Sequence, residues 1–307
     1  MRKYLYLFLA FVLIYSCKRQ SPTTKNQSVA KKSVSTRTVT TIVKFNNPIL
    51  NQYQEFISSL DTNDMTTSTK ATEKFTALFK GQDQNTCDTA FTIFDKYYGR
   101  LASVLDDLHQ KDTVDNYDKY LLYKDSLEHL PRNIRQYLDK LEANGFMTTV
   151  SEGTSYVTED RNFVAKWFYR YVSPAMKEYL NQLNKESKDI IEEDASILID
   201  SKELVDMTIW WEKFAKNNPH FLLSKEARNN FSGSLETLLE GSDNSPVWDT
   251  GSNKLSSYFE EAYQYTESNY PLSETVKKVA PYHKFLLQGK RDSADSLLKV
   301  YFKTDNP

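Results

Sequence analysis

From Cys87 to Leu108, seven residues that favour burial, Cys87, Phe91, Phe94, Tyr98, Leu101, Leu105 and Leu108, recur at alternating steps of four and three. That spacing places all seven on one stripe of a helix about six turns long. Glycine points the same way. It fills only 8 of 307 positions, against a usual share of about 7%. Folds built on many positive-φ turns, phosphate-cradling loops or barrel corners are therefore disfavoured. A chain that is 39% apolar and 26% charged has enough apolar surface for a core, and its length suits one large or two ordinary domains.

Helix starts recur along the body. Asn47-Pro48 is a cap followed by a proline at the first helical position, continued by Ile49, Tyr53, Phe56, Ile57 and Leu60. Pro131 opens a helix that stops at Asn144-Gly145, and Ser173-Pro174 opens another through Met176, Tyr179, Leu180 and Leu183. Asp200-Ser201 ahead of Glu203 is a capping-box pattern. The one strand signal is Phe146 to Val150 and Tyr156 to Thr158 around Glu152-Gly153, a β-hairpin to which Ile197 to Ile199 could add a third strand. The expected fold class is all-α, a helix-pair, repeat-like array of about twelve helices with one small β-hairpin packed on them.

At the amino terminus, Arg2 and Lys3 precede an apolar and aromatic run from Tyr4 to Tyr15 that is too short to span a bilayer. The run ends in Leu13-Ile14-Tyr15-Ser16-Cys17. This resembles the lipobox of bacterial lipoproteins, with Tyr15 a loose fit; the alternative is an ordinary signal peptide in which Cys17 is incidental. The resemblance implies cleavage after Ser16 and a lipid, such as palmitate, on Cys17. With no aspartate after Cys17 and no acidic residue in Lys18-Arg19-Gln20, it also implies the periplasmic face of the outer membrane. Residues 18–41 hold ten Ser or Thr, six Lys or Arg and no acid, the composition of a disordered tether. The organisation is then a signal peptide over 1–16, lipidated Cys17 and tether over 17–41, an N-terminal helical part over 42–145, and the hairpin with a C-terminal repeat-like part over 146–307. The body from residue 42 carries 31 basic and 41 acidic residues, a balance of −10, which argues against nucleic acid as a partner.

A weak repeat closes the chain. Trp211 to Pro219 is echoed by Tyr263 to Pro271, with the prolines 52 residues apart. The helix-Asn-x-Pro-helix form and the segment Gly289 to Leu298 resemble the degenerate tetratricopeptide-like repeats of envelope lipoproteins over residues 203–303. The period departs from 34 residues, and stacked antiparallel helix pairs would give the same pattern without homology. The order of elements also looks like that of helical bacterial envelope proteins, a likeness that carries no activity.

Candidate chemistry is sparse. The chain holds no Gly-x-Ser-x-Gly, no phosphate loop, no Gly-x-Gly-x-x-Gly and no His-Glu-x-x-His. His109, His129, His220 and His283 are dispersed, so neither a metal site nor a cofactor is expected. Cys87, alone once Cys17 carries lipid, reads as a small buried apolar group. Glu192-Glu193-Asp194 is a carboxylate cluster with the wrong alternation for calcium, and Glu186-Ser187 lacks the flanking segments of the transglycosylase pair it resembles. The more distinctive stretch is Gly241 to Asp249, with Asp243, Asn244, Trp248 and Asp249 as a candidate binding loop; the competing reading has Trp248 plugging the core and Asp243 or Asp249 capping a helix. The function expected is a non-enzymatic lipoprotein, docking or scaffolding an envelope protein partner. The alternative is glycan binding through exposed aromatics, for which 20 tyrosines and 4 tryptophans supply material.

Overall fold

The computed structural model describes residues 44–112, 115–122, 129–188, 190–249 and 251–302. The expected signal segment, lipidation at Cys17 and tether fall outside them. Among the described residues are twelve helices and four two-stranded antiparallel hairpins, three of which have strands of only two residues. The fold is thus mostly all-α.

The predicted starts form because their caps are local. Helix α1 (Pro48–Ser58) begins where the Asn47 side chain accepts from the Ile49 N–H at 3.0 Å. Helices α2 (Thr67–Phe79) and α3 (Gln84–Lys111) follow, with Asp83 accepting from the Thr86 N–H at 3.0 Å. A short α4 (Tyr117–Leu121) leads to α5 (Arg132–Ala143), which opens after Pro131 and ends at Asn144-Gly145. Asp160 caps α6 (Arg161–Phe168), and the Ser173 hydroxyl caps α7 (Pro174–Glu186) through the Met176 N–H. Each such cap contributes about 1 kcal/mol. Gly145 sits at φ +84°, and a Cβ there would lie 2.4 Å from the Phe163 ring, so both backbone and packing call for glycine.

Along α3, six of the seven stripe residues are buried, but Leu108 is 46% exposed and His109 is 5% exposed in its place. The reason is geometric. A strict 3.5-residue repeat drifts by about 20° per heptad on a straight helix, so after three heptads the stripe has rotated past Leu108 and onto His109.

The hairpin pairs β1 (Phe146–Ser151) with β2 (Thr154–Glu159), from Phe146 opposite Glu159 to Ser151 opposite Thr154. Glu152 and Gly153 both take positive φ, as a twisted two-residue hairpin turn requires. It packs on α3, where Asp106 accepts from the Val157 N–H at 2.9 Å. Ile197 does not extend this sheet. Asp194 and Ala195, both at positive φ, fold β3 (Glu192–Glu193) back onto β4 (Ser196–Ile197), and Ile197 lies opposite Glu192.

The C-terminal half runs α8 (Ser201–Asn217), α9 (Ser224–Glu240), the hairpins β5 (Gly241–Ser242) with β6 (Ser245–Pro246) and β7 (Trp248–Asp249) with β8 (Lys254–Leu255), then α10 (Ser257–Asn269), α11 (Glu274–Leu287) and α12 (Arg291–Tyr301). Helix α8 packs on both α9 and α10, α10 on α11, and α11 on α12. The 52-residue echo is structural at its ends. The Asn218 N–H donates to Phe214 O and the Tyr270 N–H to Thr266 O, and the two caps share nearly the same dihedrals (φ −122°, ψ 55° and φ −128°, ψ 48°). One core cluster joins α1–α3, the hairpin, α6 and α7 to Trp211 and Phe214; a second is built on α8–α12. Phe75, Phe91, Phe94 and Phe168 centre the first.

Candidate functional site

The loop singled out in the sequence is absorbed by the fold. Asn244 donates through its side chain to Asp194 O at 2.6 Å and through its backbone to Ala195 O at 2.9 Å, and the Ser242 hydroxyl also donates to Ala195 O, so the loop docks on the β3–β4 hairpin. Asp249 accepts from the Gly251 N–H and the Ser252 hydroxyl, capping its own hairpin turn and no helix. These bonds hold its carboxyl below the usual range, the Ser252 hydroxyl contributing most. Val247, not Trp248, enters the core; Trp248 is half-buried under the Arg291 guanidinium, 5.3 Å from the ring centre. Asp243 is exposed. The four candidate residues do not converge on a cavity.

A sizeable cleft lies elsewhere among the described residues. It has a volume of about 790 Å³ and is walled by the N-terminal turns of α3 and α7 and by the turn between α8 and α9. One wall is fastened by Asp88, buried on α3, which accepts from the Ser173 N–H at 2.8 Å and the Ser173 hydroxyl at 2.6 Å. Burial pushes the Asp88 carboxyl up, and the Ser173 bonds pull against it. Asn85, Thr89 and Asn217 offer amide and hydroxyl groups, while Pro174, Pro219, Phe221 and Leu222 supply apolar surface. Glu178 and His220, both exposed, are the other titratable side chains lining it. Such a lining offers both hydrogen-bonding groups and apolar surface to an occupant. The sequence showed the Asn-x-Pro turn but not that it faces residues 85–89 and 173–178.

Other titratable groups are tied into the fold. His109 Nε2 is 2.8 Å from Ser155 Oγ and Nδ1 is 3.0 Å from Tyr137 OH, and its ring stacks on Tyr117 at 4.4 Å. Ser155 Oγ donates to Asp118 at 2.6 Å, so Nε2 carries the hydrogen and Tyr137 donates to Nδ1. Ser155 is fully buried and its proton already goes to Asp118, which leaves no base for nucleophilic attack. Burial pushes the His109 pKa down. Glu186 is held by Gln182 and by the Trp211 indole N–H, both at 2.7 Å, and burial pushes its carboxyl up. The pocket beside it holds only about 20 Å³, too little for a sugar. Glu193 joins the two hairpins by accepting from Ser151 and the Glu152 N–H. The Cys87 thiol is buried and pushed up to about 11, mainly by desolvation, and carries no reactive thiolate near neutrality. Among the described residues, no three His, Cys, Asp or Glu side chains approach closely enough to hold a metal ion.

Trp211 is buried, and Trp167, Trp210 and Trp248 are half-buried. None lines the large cleft. No helix among the described residues is long and apolar enough to cross a membrane. No family model matches the chain, and no curated protein or solved structure matches it either.

Proposed function

We propose that this chain is a lipid-anchored envelope protein that docks a protein partner, held at Cys17 to the periplasmic face of the outer membrane. The docking reading is carried by the 790 Å³ cleft between α3, α7 and the α8–α9 turn, which pairs amide groups with apolar surface, while its Ser173 hydroxyl and Asp88 carboxylate are engaged with each other in fastening the start of α7. Stacked helix pairs commonly present peptide partners with such surfaces. Anchoring is carried by the Leu13 to Cys17 segment. The test places a photo-crosslinking amino acid at Leu222, on the cleft, or at Leu287, exposed at the far end of α11. One specific envelope protein captured from position 222 and absent from position 287 supports the reading. Equal capture at both positions, or no capture together with a hydrolase activity of the purified chain, overturns it.

A further inference from the structure

The turns that close the two C-terminal helix pairs share one end of the molecule. The Lys213 ammonium on α8 lies 5.2 Å above the ring of Tyr270, which ends α10. Next to Lys213, Glu212 accepts from the first two N–H groups of α11. Lys278 on α11 lies over Tyr301 and Phe302 at the end of α12. The C-termini of α8, α10 and α12 therefore meet the N-terminus of α11, and the α8–α9 turn leaves from the same place.

This end differs in charge and polarity from the rest of the body. Lys213, Lys216, Lys225, Lys277 and Lys299 are all exposed here. The exposed acids here are Asp206, Glu226 and Glu274; Asp206 accepts from the Tyr270 hydroxyl at 2.6 Å and the Tyr265 hydroxyl at 3.2 Å, and Glu274 is paired with Lys277 at 2.6 Å; half-buried Glu267 is bonded to His283. A cationic end on a body with 31 basic against 41 acidic residues is a segregation of charge. The same turns carry exposed apolar side chains. Leu272, at the tip of the α10–α11 turn, is 90% exposed, Val300 is 65% exposed and Leu222 is 50% exposed. A leucine so exposed adds almost nothing to the fold. The apolar points are interleaved with cations, as Leu222 with Lys225, Leu272 with Lys277 and Val300 with Lys299.

We propose that this end rests on an anionic bilayer surface, with Leu272 entering the headgroup layer and the lysines around it meeting lipid phosphates. Interleaved leucine and lysine fit an interface in which aliphatic stems lie along the apolar boundary while ammonium groups reach the headgroups. The proposal rests on the anchoring reading only for the presence of a bilayer nearby; the chemistry of the contact is that of the surface itself.

The test uses the full chain carrying Cys17→Ala, whose remaining native thiol, Cys87, is buried. Leu272→Cys, or Gln288→Cys at the opposite end of α11, is labelled with an environment-sensitive fluorophore. Each is mixed with vesicles of phosphatidylglycerol and phosphatidylethanolamine, or of phosphatidylcholine alone. The expected result is a blue shift at position 272 on the anionic vesicles, with position 288 silent and neither responding to phosphatidylcholine. Adding Lys216→Glu with Lys225→Glu, both exposed, should raise the lipid needed for half-response at least about tenfold, with unchanged melting. Equal responses at 272 and 288, silence at 272, or indifference to the charge reversals overturns the proposal; silence at 272 is also what an acidic protein partner in place of lipid predicts. Failure of anchoring is read separately, from where Cys17→Ala fractionates in cells at high salt, which screens the lysine contacts.

Discussion

Glu212→Ala should be among the most destabilising single substitutions in the C-terminal half. Glu212 lies on α8 and is 7% exposed, yet its carboxylate serves the start of α11, 62 residues later. It accepts from the Glu274 N–H at 2.8 Å, the Thr275 N–H at 2.8 Å and the Thr275 hydroxyl at 2.7 Å. The Ser273 hydroxyl takes the next N–H, from Val276. Two side chains thus satisfy the first three donors of α11, and a carboxylate at this position also interacts favourably with the helix dipole. Removing it leaves buried donors unpaired, Thr275 being fully buried. At about 1–3 kcal/mol for each stranded buried group, with some relief from water, a loss of about 3–5 kcal/mol follows. For a body of this size that is a fall in Tm of about 6–20 °C. Thermal unfolding followed by circular dichroism measures it, with the exposed Glu226→Ala as a reference expected within about 0.5 kcal/mol of the parent. Thr275→Val should couple to Glu212→Ala by at least about 0.5 kcal/mol in a double-mutant cycle. A loss below about 1 kcal/mol for Glu212→Ala would refute the claim that this contact joins the two helix pairs.

Gly145→Ala should lose about 2–4 kcal/mol, because φ +84° is strained for alanine and its Cβ meets the Phe163 ring; denaturant melts measure this, and a neutral outcome would show that Phe163 moves aside freely. Cys87, buried with its pKa pushed up to about 11, should react with a thiol reagent at pH 8 only after unfolding in urea, and stoichiometric labelling of the native chain would contradict that burial. Glu186→Gln should raise stability at neutral pH by removing a desolvated charge while keeping an acceptor for Trp211. Because the folded pKa of Glu186 is raised, its charge opposes folding above that value and not below the unfolded value, so the advantage of the variant should shrink as pH falls from 7 towards 4. Melts that show a constant or growing advantage would remove Glu186 as the cause. Fractionated at high salt, which screens the lysine-rich end, Cys17→Ala should leave the membranes for the soluble periplasm, and retention there would show another attachment.

Local chemistry made the α3 stripe, four helix starts and the main hairpin legible in the sequence. The caps at Asn47, Ser173 and Asp200, the stop at Asn144-Gly145 and the Glu152-Gly153 turn each depend on residues within four positions of one another, so the spacing alone carries the signal. The 52-residue echo was legible for the same reason, since each helix end bonds to its own last turn. What needed the tertiary structure is whatever joins residues far apart. The drift of helical phase that buries His109 depends on how straight α3 runs. The side chains that receive its ring, Tyr117, Tyr137 and Ser155, come from three separate elements. Asp88 and Glu212 are acids on helix faces, where a sequence pattern reads only solvent exposure, yet both are buried: Asp88 holds Ser173, the capping residue of α7, and Glu212 accepts from the first N–H groups of α11, each more than 60 residues downstream. The polar loop from Asp243 to Asp249 looked available because its bonding partners, at 194 and 195, are not its neighbours in sequence. The cleft could not be read from the sequence at all, because its walls come from residues 85–89, 173–178 and 217–222, and only the packing of α3, α7 and α8 sets those three helix ends around one space.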